Sequence, residues 1–229
     1  MLAPMPVRAL VGAARRTRLR DLVQLQAVVD PLFDQNCYVL RRRDTDRCLV
    51  VDPGLQAVAA LRLVEDAGLA CDRILVSHGH PDHVVGIPAV KAAHRCVAAM
   101  HPADRALLGP AGLLPGFPAP PEPGVIDEDL APGQVIAWQG LEIAVIHTPG
   151  HTPGSVCFLV GADLLTGDTL MRHAVGRTDL PGGSLETLLT SIRDRLLPLT
   201  PETVVHPGHG STTSIAEETR ANPFLLARR

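Results

Sequence analysis

The chain has 229 residues, 46% of them hydrophobic, and a formal net charge of −3. That length and apolar content suit one compact domain that buries about 70% of its unfolded surface. The near-balanced charge gives no electrostatic footprint for a nucleic acid or a membrane surface, and no apolar run approaches the roughly 20 residues a membrane-crossing helix needs.

Residues 1–22 carry Arg8, Arg15, Arg16, Arg18 and Arg20 between short apolar stretches. They read as a basic tail, because the uninterrupted apolar core of a signal peptide is missing. A single domain is expected over residues 23–229. Its first half alternates strand and helix signals, with strands predicted at about Leu25–Val29, Cys37–Leu40, Cys48–Val51, Arg73–Ser77 and Val97–Met100. Ala57, Ala60, Leu61, Val64 and Ala67 recur at helical spacing and stop at Gly68, which suits a helix end. Residues 108–124 form a Pro/Gly-rich stretch whose apolar members include Leu113, Leu114 and Phe117. So long a loop inside a compact domain is usually functional or mobile. It either borders a substrate cleft or is a plain surface loop.

The second half begins with strands predicted at Gln134–Trp138 and Leu141–His147, followed by Val156–Val160 and Leu164–Thr166. Leu185, Leu188, Leu189, Ile192 and Leu196 mark an amphipathic helix, with Ser184 placed to cap it and Pro198 to end it. The five cysteines Cys37, Cys48, Cys71, Cys96 and Cys157 are odd in number and contain no CxxC pair. Cys48 and Cys157 sit inside apolar runs, where a thiol acts as a small hydrophobe. Such usage belongs to a reducing compartment, so a cytoplasmic location is expected.

The chemistry is concentrated at strand ends. Ile74-Leu75-Val76 reads as a buried strand, and Ser77-His78-Gly79-His80-Pro81-Asp82-His83 follows it with three imidazoles and a carboxylate. His78 and His80, two apart, can face one metal ion, while Asp82 and His83 swing past Pro81 toward a second. Three later segments repeat the pattern: His147 to His151, Gly167-Asp168, and His206 to His209. Each is a short strand, a tight turn, then a donor suited to zinc or a similar ion. Donors collected at several strand ends are what an active site on an α/β framework needs. His147 and His206 read as strand-end residues beside the donors, and His173 is left open between substrate contact and support. His94 and His101 are expected at the surface. Arg177 and Asp179 are expected to brace the loop after Asp168, and Tyr38 to lie in the core or the cleft.

The order of these segments, with Asn36-Cys37-Tyr38, Val51-Asp52-Pro53-Gly54, Gly176-Arg177-Thr178-Asp179 and Asn222-Pro223-Phe224-Leu225, resembles the metallo-β-lactamase superfamily. More narrowly, it resembles small bacterial hydrolases similar to glyoxalase II (hydroxyacylglutathione hydrolase), from about Leu25 to Leu226. The resemblance implies an α/β fold, the αββα sandwich of that superfamily, pseudo-duplicated, with metals at one edge. It implies two divalent ions, zinc most simply, with iron or manganese as alternatives. His78, His80 and His151 would hold one, Asp82, His83 and His209 the other, and Asp168 would bridge both. Asp82 and Asp168 would then serve catalysis as well as metal binding.

Such a centre attacks a carbonyl with a metal-bridging hydroxide, needing no serine or cysteine nucleophile. A thioester suits it, because a thiolate departs without a strong acid. The expected substrate is therefore a small-molecule thioester or related ester, with no nucleic-acid or membrane partner. Larger glyoxalase II enzymes hold glutathione through basic residues of a C-terminal helical region. Arg229 stands only 20 residues beyond His209 and Lys91 is the single lysine, so glutathione recognition is left open. A true β-lactamase, which generally lacks a bridging carboxylate at the Asp168 position, and a nuclease, which would carry a basic face or an extra nucleic-acid domain, are disfavoured, and two other readings stand beside the hydrolase. One is a mononuclear iron persulfide dioxygenase using His78, His151 and Asp168. The other is a catalytically silent binding protein of the same fold.

Overall fold

The structure is a computed structural model that describes residues 23–227. The stretch read as a basic tail lies outside these residues. The described chain divides into two compact units, one ending at Leu130 and the other beginning at Ala131.

The first unit holds a six-stranded sheet whose strands lie side by side in chain order: β1 (Val23–Val29), β2 (Asn36–Arg42), β3 (Arg47–Val51), β4 (Ala70–Leu75), β5 (Val97–Met100) and β6 (Glu128–Asp129). The first three strands pair antiparallel and the last four parallel. Parallel neighbours need a crossover, usually a helix. Helix α1 (Ala57–Asp66) supplies the first crossover, burying Ala57, Ala60 and Val64. Helices α2 (Pro81–Val84) and α3 (Ile87–His94) supply the next. Successive strand residues face opposite sides, and one side is consistently apolar: Cys37 and Val39, Cys48 and Val50, Ile74 and Val76, Ala98 and Met100. These residues form one core cluster with Ala60, Val64, Ile87 and Val90. Gly68 ends α1 in the left-handed region, as its position predicts.

The second unit repeats the plan. Strands β7 (Val135–Trp138), β8 (Leu141–His147), β9 (Val156–Val160) and β10 (Asp163–Gly167) form an antiparallel meander. The small hairpin β11 (Leu170–Met171) and β12 (Ala174–Val175) follows, then helix α4 (Leu185–Ser191), then β13 (Val204–Pro207), which pairs parallel with β10. Strand β14 (Thr213–Ser214) and helices α5 (Ile215–Ala221) and α6 (Pro223–Leu226) complete it. The Ser184 hydroxyl accepts from Thr187 N at 3.3 Å, the predicted cap. Beyond Ser191 the helix widens into a π-helical segment to Leu196, so its final turns are not α-helical. Leu188, Leu189, Ile192 and Leu196 nevertheless all reach the core with Ile146, Cys157, Leu159 and Val205.

Strand direction explains where this unit collects its turns. Strands β8 and β10 are both antiparallel to β9, and β13 is parallel to β10. All three therefore end at the same edge of the sheet.

Candidate metal centre

In the first unit the donors leave the end of β4 through Ser77. Pro81 occupies the first turn of α2, where its fixed φ and missing N–H fit. That turn carries Asp82 and His83, with His80 as the residue before it. The His78 ring lies 4.8 Å from His80 and 4.2 Å from His83, centroid to centroid. All four donors are buried: His78 1%, His80 7%, Asp82 8% and His83 0% exposed.

A buried carboxylate orients two of these rings. Asp52, at the end of β3, has a positive φ of 52°. Its Oδ1 accepts from Ser77 N at 2.7 Å and its Oδ2 from the Ser77 hydroxyl at 2.6 Å. Oδ2 also lies 3.0 Å from His83 Nδ1. Because the Ser77 hydroxyl donates to Asp52, it is left to accept from His78 Nδ1, 3.0 Å away. Both rings thus carry their protons on Nδ1 and turn Nε2 the other way. His83 Nε2 lies 3.7 Å from Asp82 Oδ2. Gly54 lets this brace sit against the donors, since a Cβ there would fall 1.6 Å from the Asp82 carbonyl oxygen.

In the second unit the predicted donors come from three separate turns. His151 follows β8, Asp168 follows β10, and His209 follows β13, with Gly208 N donating to Gly167 O at 2.8 Å to tie the last two together. His151 Nδ1 lies 2.7 Å from the Arg177 carbonyl oxygen, so it donates there and directs Nε2 to within 3.6 Å of Asp168 Oδ2. His209 Nε2 lies at the same 3.6 Å from that oxygen. A side chain at Gly176 would fall 2.0 Å from the Asp168 carbonyl oxygen and 2.8 Å from His151 Nδ1, which reserves the position for glycine.

These separations fit a cation. At 3.6–3.7 Å the nitrogen and oxygen atoms are too far apart for hydrogen bonds. They match two ligands each about 2.1 Å from one ion. A metal-binding histidine also commonly donates its second ring N–H to a carboxylate or carbonyl, which fixes its tautomer; His83 and His151 do so. Among the described residues, the potential metal holders are His78, His80, Asp82 and His83 of the first unit and His151, Asp168 and His209 of the second.

The remaining predictions divide. His147 Nε2 is bonded to Pro153 O at 2.9 Å and His206 Nε2 to Asp163 Oδ1 at 2.9 Å, both closing strand ends as expected. Arg177 and Asp179 form an ion pair at 2.7 Å, and the guanidinium's hydrogen bonds draw the Asp179 carboxyl down to about 2. His173, at φ 57°, gives its backbone N–H to Glu218 and pairs its ring with Glu217 at 3.0 Å. It is held by α5. Tyr38 is core, and burial, followed by the Asp52 charge, pushes its phenol well up. His101 departs from expectation: it is buried, and its Nδ1 accepts from Ala103 N at 3.3 Å. A His before a Pro reads equally well as a surface turn, which hides its helix-capping bond. Asp52 stands out in the sequence only as part of a recurring segment. Its signal, a carboxylate at the end of an apolar strand before Pro53-Gly54, matches that of Asp168.

The family model described as the metallo-beta-lactamase superfamily matches residues 30–209, and the chain belongs to that superfamily. A relative from Haemophilus influenzae, hydroxyacylglutathione hydrolase GloC, is 33% identical over 209 residues, covering 86% of this chain and 95% of that one. Among solved structures, the BLEG-1 B3 metallo-beta-lactamase matches with a TM-score of 0.82 at 33% identity, over 89% of this chain and 100% of that one. TTHA1623, in a di-iron-bound form, matches with a TM-score of 0.75 at 36% identity, over 87% and 100%. The α/β fold expected from the motifs is the fold found.

Proposed function

We propose that this protein is a binuclear metal-dependent hydrolase of thioesters or related esters, similar to glyoxalase II. In this reading His78, His80 and His151 would hold one ion, Asp82, His83 and His209 the other, and Asp168 would serve both. The observation that carries it is the pre-set orientation of His83 and His151, each with Nδ1 donating to a protein oxygen and Nε2 facing a carboxylate 3.6–3.7 Å away. Zinc is the simplest occupant. Imidazole and carboxylate also accept iron or manganese, and the similar TTHA1623 has a di-iron-bound form.

Divalent ions held by these donors would supply a water of lowered pKa and a Lewis acid for the carbonyl under attack. The chain's own part is to fix the donors. Asp52 holds His83 directly and His78 through Ser77, and the Arg177 carbonyl holds His151. Asp82 and Asp168 supply the negative charge that lets two cations share one site. A thioester requires little more, since its thiolate leaves unprotonated.

The thiol half is less constrained. The relative GloC is named for a glutathione thioester. Here the single lysine, Lys91, is engaged 2.7 Å from Asp127 and 2.8 Å from the Val125 carbonyl oxygen. We therefore expect lactoyl-glutathione to be cleaved with a high, poorly saturating KM and no large advantage over cysteamine thioesters. The test couples metal analysis of the purified protein with hydrolysis assays. Two ions per chain and thioester cleavage are expected. One iron per chain with oxygen-dependent consumption of a persulfide would replace this reading with the dioxygenase. Preferential cleavage of a β-lactam would replace it with a lactamase.

A further inference from the structure

Glu218, on α5, is a fully buried carboxylate surrounded by neutral donors. Its Oε2 accepts from His173 N at 2.9 Å and from Asn222 Nδ2 at 2.7 Å, and its Oε1 from the Thr213 hydroxyl at 2.7 Å. Asn222 is equally buried and uses its whole amide. Its Nδ2 also donates to the Ala174 carbonyl oxygen at 3.0 Å, and its Oδ1 accepts from Phe224 N at 3.0 Å. Burying a carboxylate is costly unless its oxygens are bonded. Here the bonds come from separate segments of the second unit, so the group that needs them also ties those segments together.

Two of these segments lead directly to the unit's metal donors. His173 and Ala174 lie in the β11–β12 hairpin, which starts two residues after Asp168 and runs on through Gly176 to Arg177. The Arg177 carbonyl oxygen is the one that accepts from His151 Nδ1. Gly176 leaves no slack there, since a Cβ would fall 2.0 Å from the Asp168 carbonyl oxygen. Thr213 begins β14 and so closes the turn that leaves β13 and bears His209. The near end of the hairpin is pinned independently. The Thr166 hydroxyl donates to Leu170 O at 2.7 Å, and the Thr148 and Thr169 hydroxyls meet at 2.8 Å. Glu218 and Asn222 take hold at its far end and at the exit of the His209 turn.

We propose that Glu218, with Asn222, is a positioning residue of the metal centre. It fixes the hairpin between Asp168 and Arg177 together with the turn that bears His209, and so aims His151, Asp168 and His209. The proposal rests on the metal-binding part of the hydrolase reading and on none of its substrate chemistry. Glu218 is the second unit's counterpart of Asp52, acting through backbone rather than on a ring. Because it acts at one remove, its loss should weaken zinc binding about tenfold, the low end of what outer partners of metal ligands contribute.

The experiment compares Glu218→Ala and Glu218→Gln with wild type in the full, zinc-loaded chain. Gln can keep the network: its oxygen accepts from His173 N and Asn222, and its NH2 donates to the Thr213 hydroxyl, which rotates to accept. One readout is zinc affinity by chelator competition. The other is solvent exchange of the His151 Nδ1 proton by NMR, with the His83 Nδ1 proton, held by Asp52, as internal reference. Glu218→Ala should weaken zinc binding and speed exchange at His151 but not at His83, and Glu218→Gln should restore both. A merely structural residue would lower the unfolding midpoint and leave both readouts at wild-type values. That outcome, or a Gln variant as impaired as the Ala variant, overturns the proposal. Should Glu218→Ala fail to fold, Asn222→Ala carries the same test, removing the bond to Ala174 while Glu218 still holds His173 N. A smaller loss in the same direction supports the proposal, and unchanged affinity and exchange overturn it. Neither readout needs turnover, so absence of thioester cleavage sinks only the hydrolase reading. If the wild type binds no zinc, the metal reading fails and His151 exchange in the zinc-free protein decides the role of Glu218.

Discussion

The two units carry donors of the same chemistry but gather them differently. The first places His78, His80, Asp82 and His83 on one loop and one helical turn, so sequence neighbours become spatial neighbours. The second draws His151, Asp168 and His209 from three strands and relies on strand direction to bring them to one edge. Their braces differ as well. A single buried carboxylate, Asp52, orients two rings of the first unit, whereas a backbone carbonyl, that of Arg177, orients His151. A side-chain brace can be removed by mutation. A carbonyl brace can only be displaced by distorting its loop. The first unit should therefore be the more sensitive to a single substitution away from the donors themselves.

The largest effect should come from the second unit's bridging candidate. Asp168→Ala removes the carboxylate that faces both His151 and His209, and leaves two cations without shared negative charge. Thioester turnover should fall on the order of a thousandfold, the several kcal/mol that metal-held charge supplies, and elemental analysis should show fewer than two ions per chain. Retention of both ions with near-normal turnover would refute the ligand assignment. Next comes Asp52→Ala in the first unit. It touches no proposed ligand atom directly other than through His83 and Ser77, yet removal of such outer partners costs about 10–100-fold in metal affinity or activity. Competition with a chelator measures this, and an unchanged affinity would break the contrast between the two braces.

How much is legible in the sequence follows the same division. The first unit's site can be read almost whole, because the donors lie within six consecutive residues after an apolar strand. The spacing there assigns geometry by itself. In the second unit the same reasoning finds each donor's turn but not their meeting, since nothing local says that β8, β10 and β13 run in one direction. That grouping comes from family resemblance. Elements with a near-continuous apolar run or a helical pattern, such as β5, β8, β9 and α1, are predicted within one or two residues. Helices α2 and α3 escape because Pro81, Gly86 and Pro88 break the apolar spacing, although Pro in a first helical turn is favourable. Asp52 escapes because a buried carboxylate looks like any turn residue until its partners are known.

His173 sharpens the comparison from the opposite side. It lies five residues beyond Asp168, but its contacts run to Glu217 and Glu218. Substitution by Asn, which tolerates its left-handed backbone, keeps the backbone donor to Glu218 and loses only a half-exposed ring contact. Metal content should be unchanged and stability should fall by less than about 1 kcal/mol, read by thermal unfolding. Loss of metal would place His173 among the groups that hold the site.

The smallest effects concern two depressed carboxyls, one per unit. Burial alone would raise Asp127, but hydrogen bonds from Lys91 and Ala98 N lower it on balance. Asp179 is drawn to about 2 by Arg177. A carboxyl lowered by folding adds stability above its ordinary value of 3.8, and that stability is lost as pH falls through the folded value. For Asp179 the window runs from about pH 4 down to about pH 2, yet the pair's side chains are 62% and 67% exposed, so water and salt screen nearly all of it. Asp127 also accepts from Ala98 N at 2.8 Å beside β5, a bond an amide must turn its oxygen to keep. Asp127→Asn should lower the unfolding midpoint at pH 7 measurably and lose that difference from wild type as pH drops below 4. Asp179→Asn should track wild type across the whole range. If Asp179→Asn were the more damaging at pH 7, the Arg177 loop would depend on its ion pair, and the second unit's brace would prove as mutable as the first.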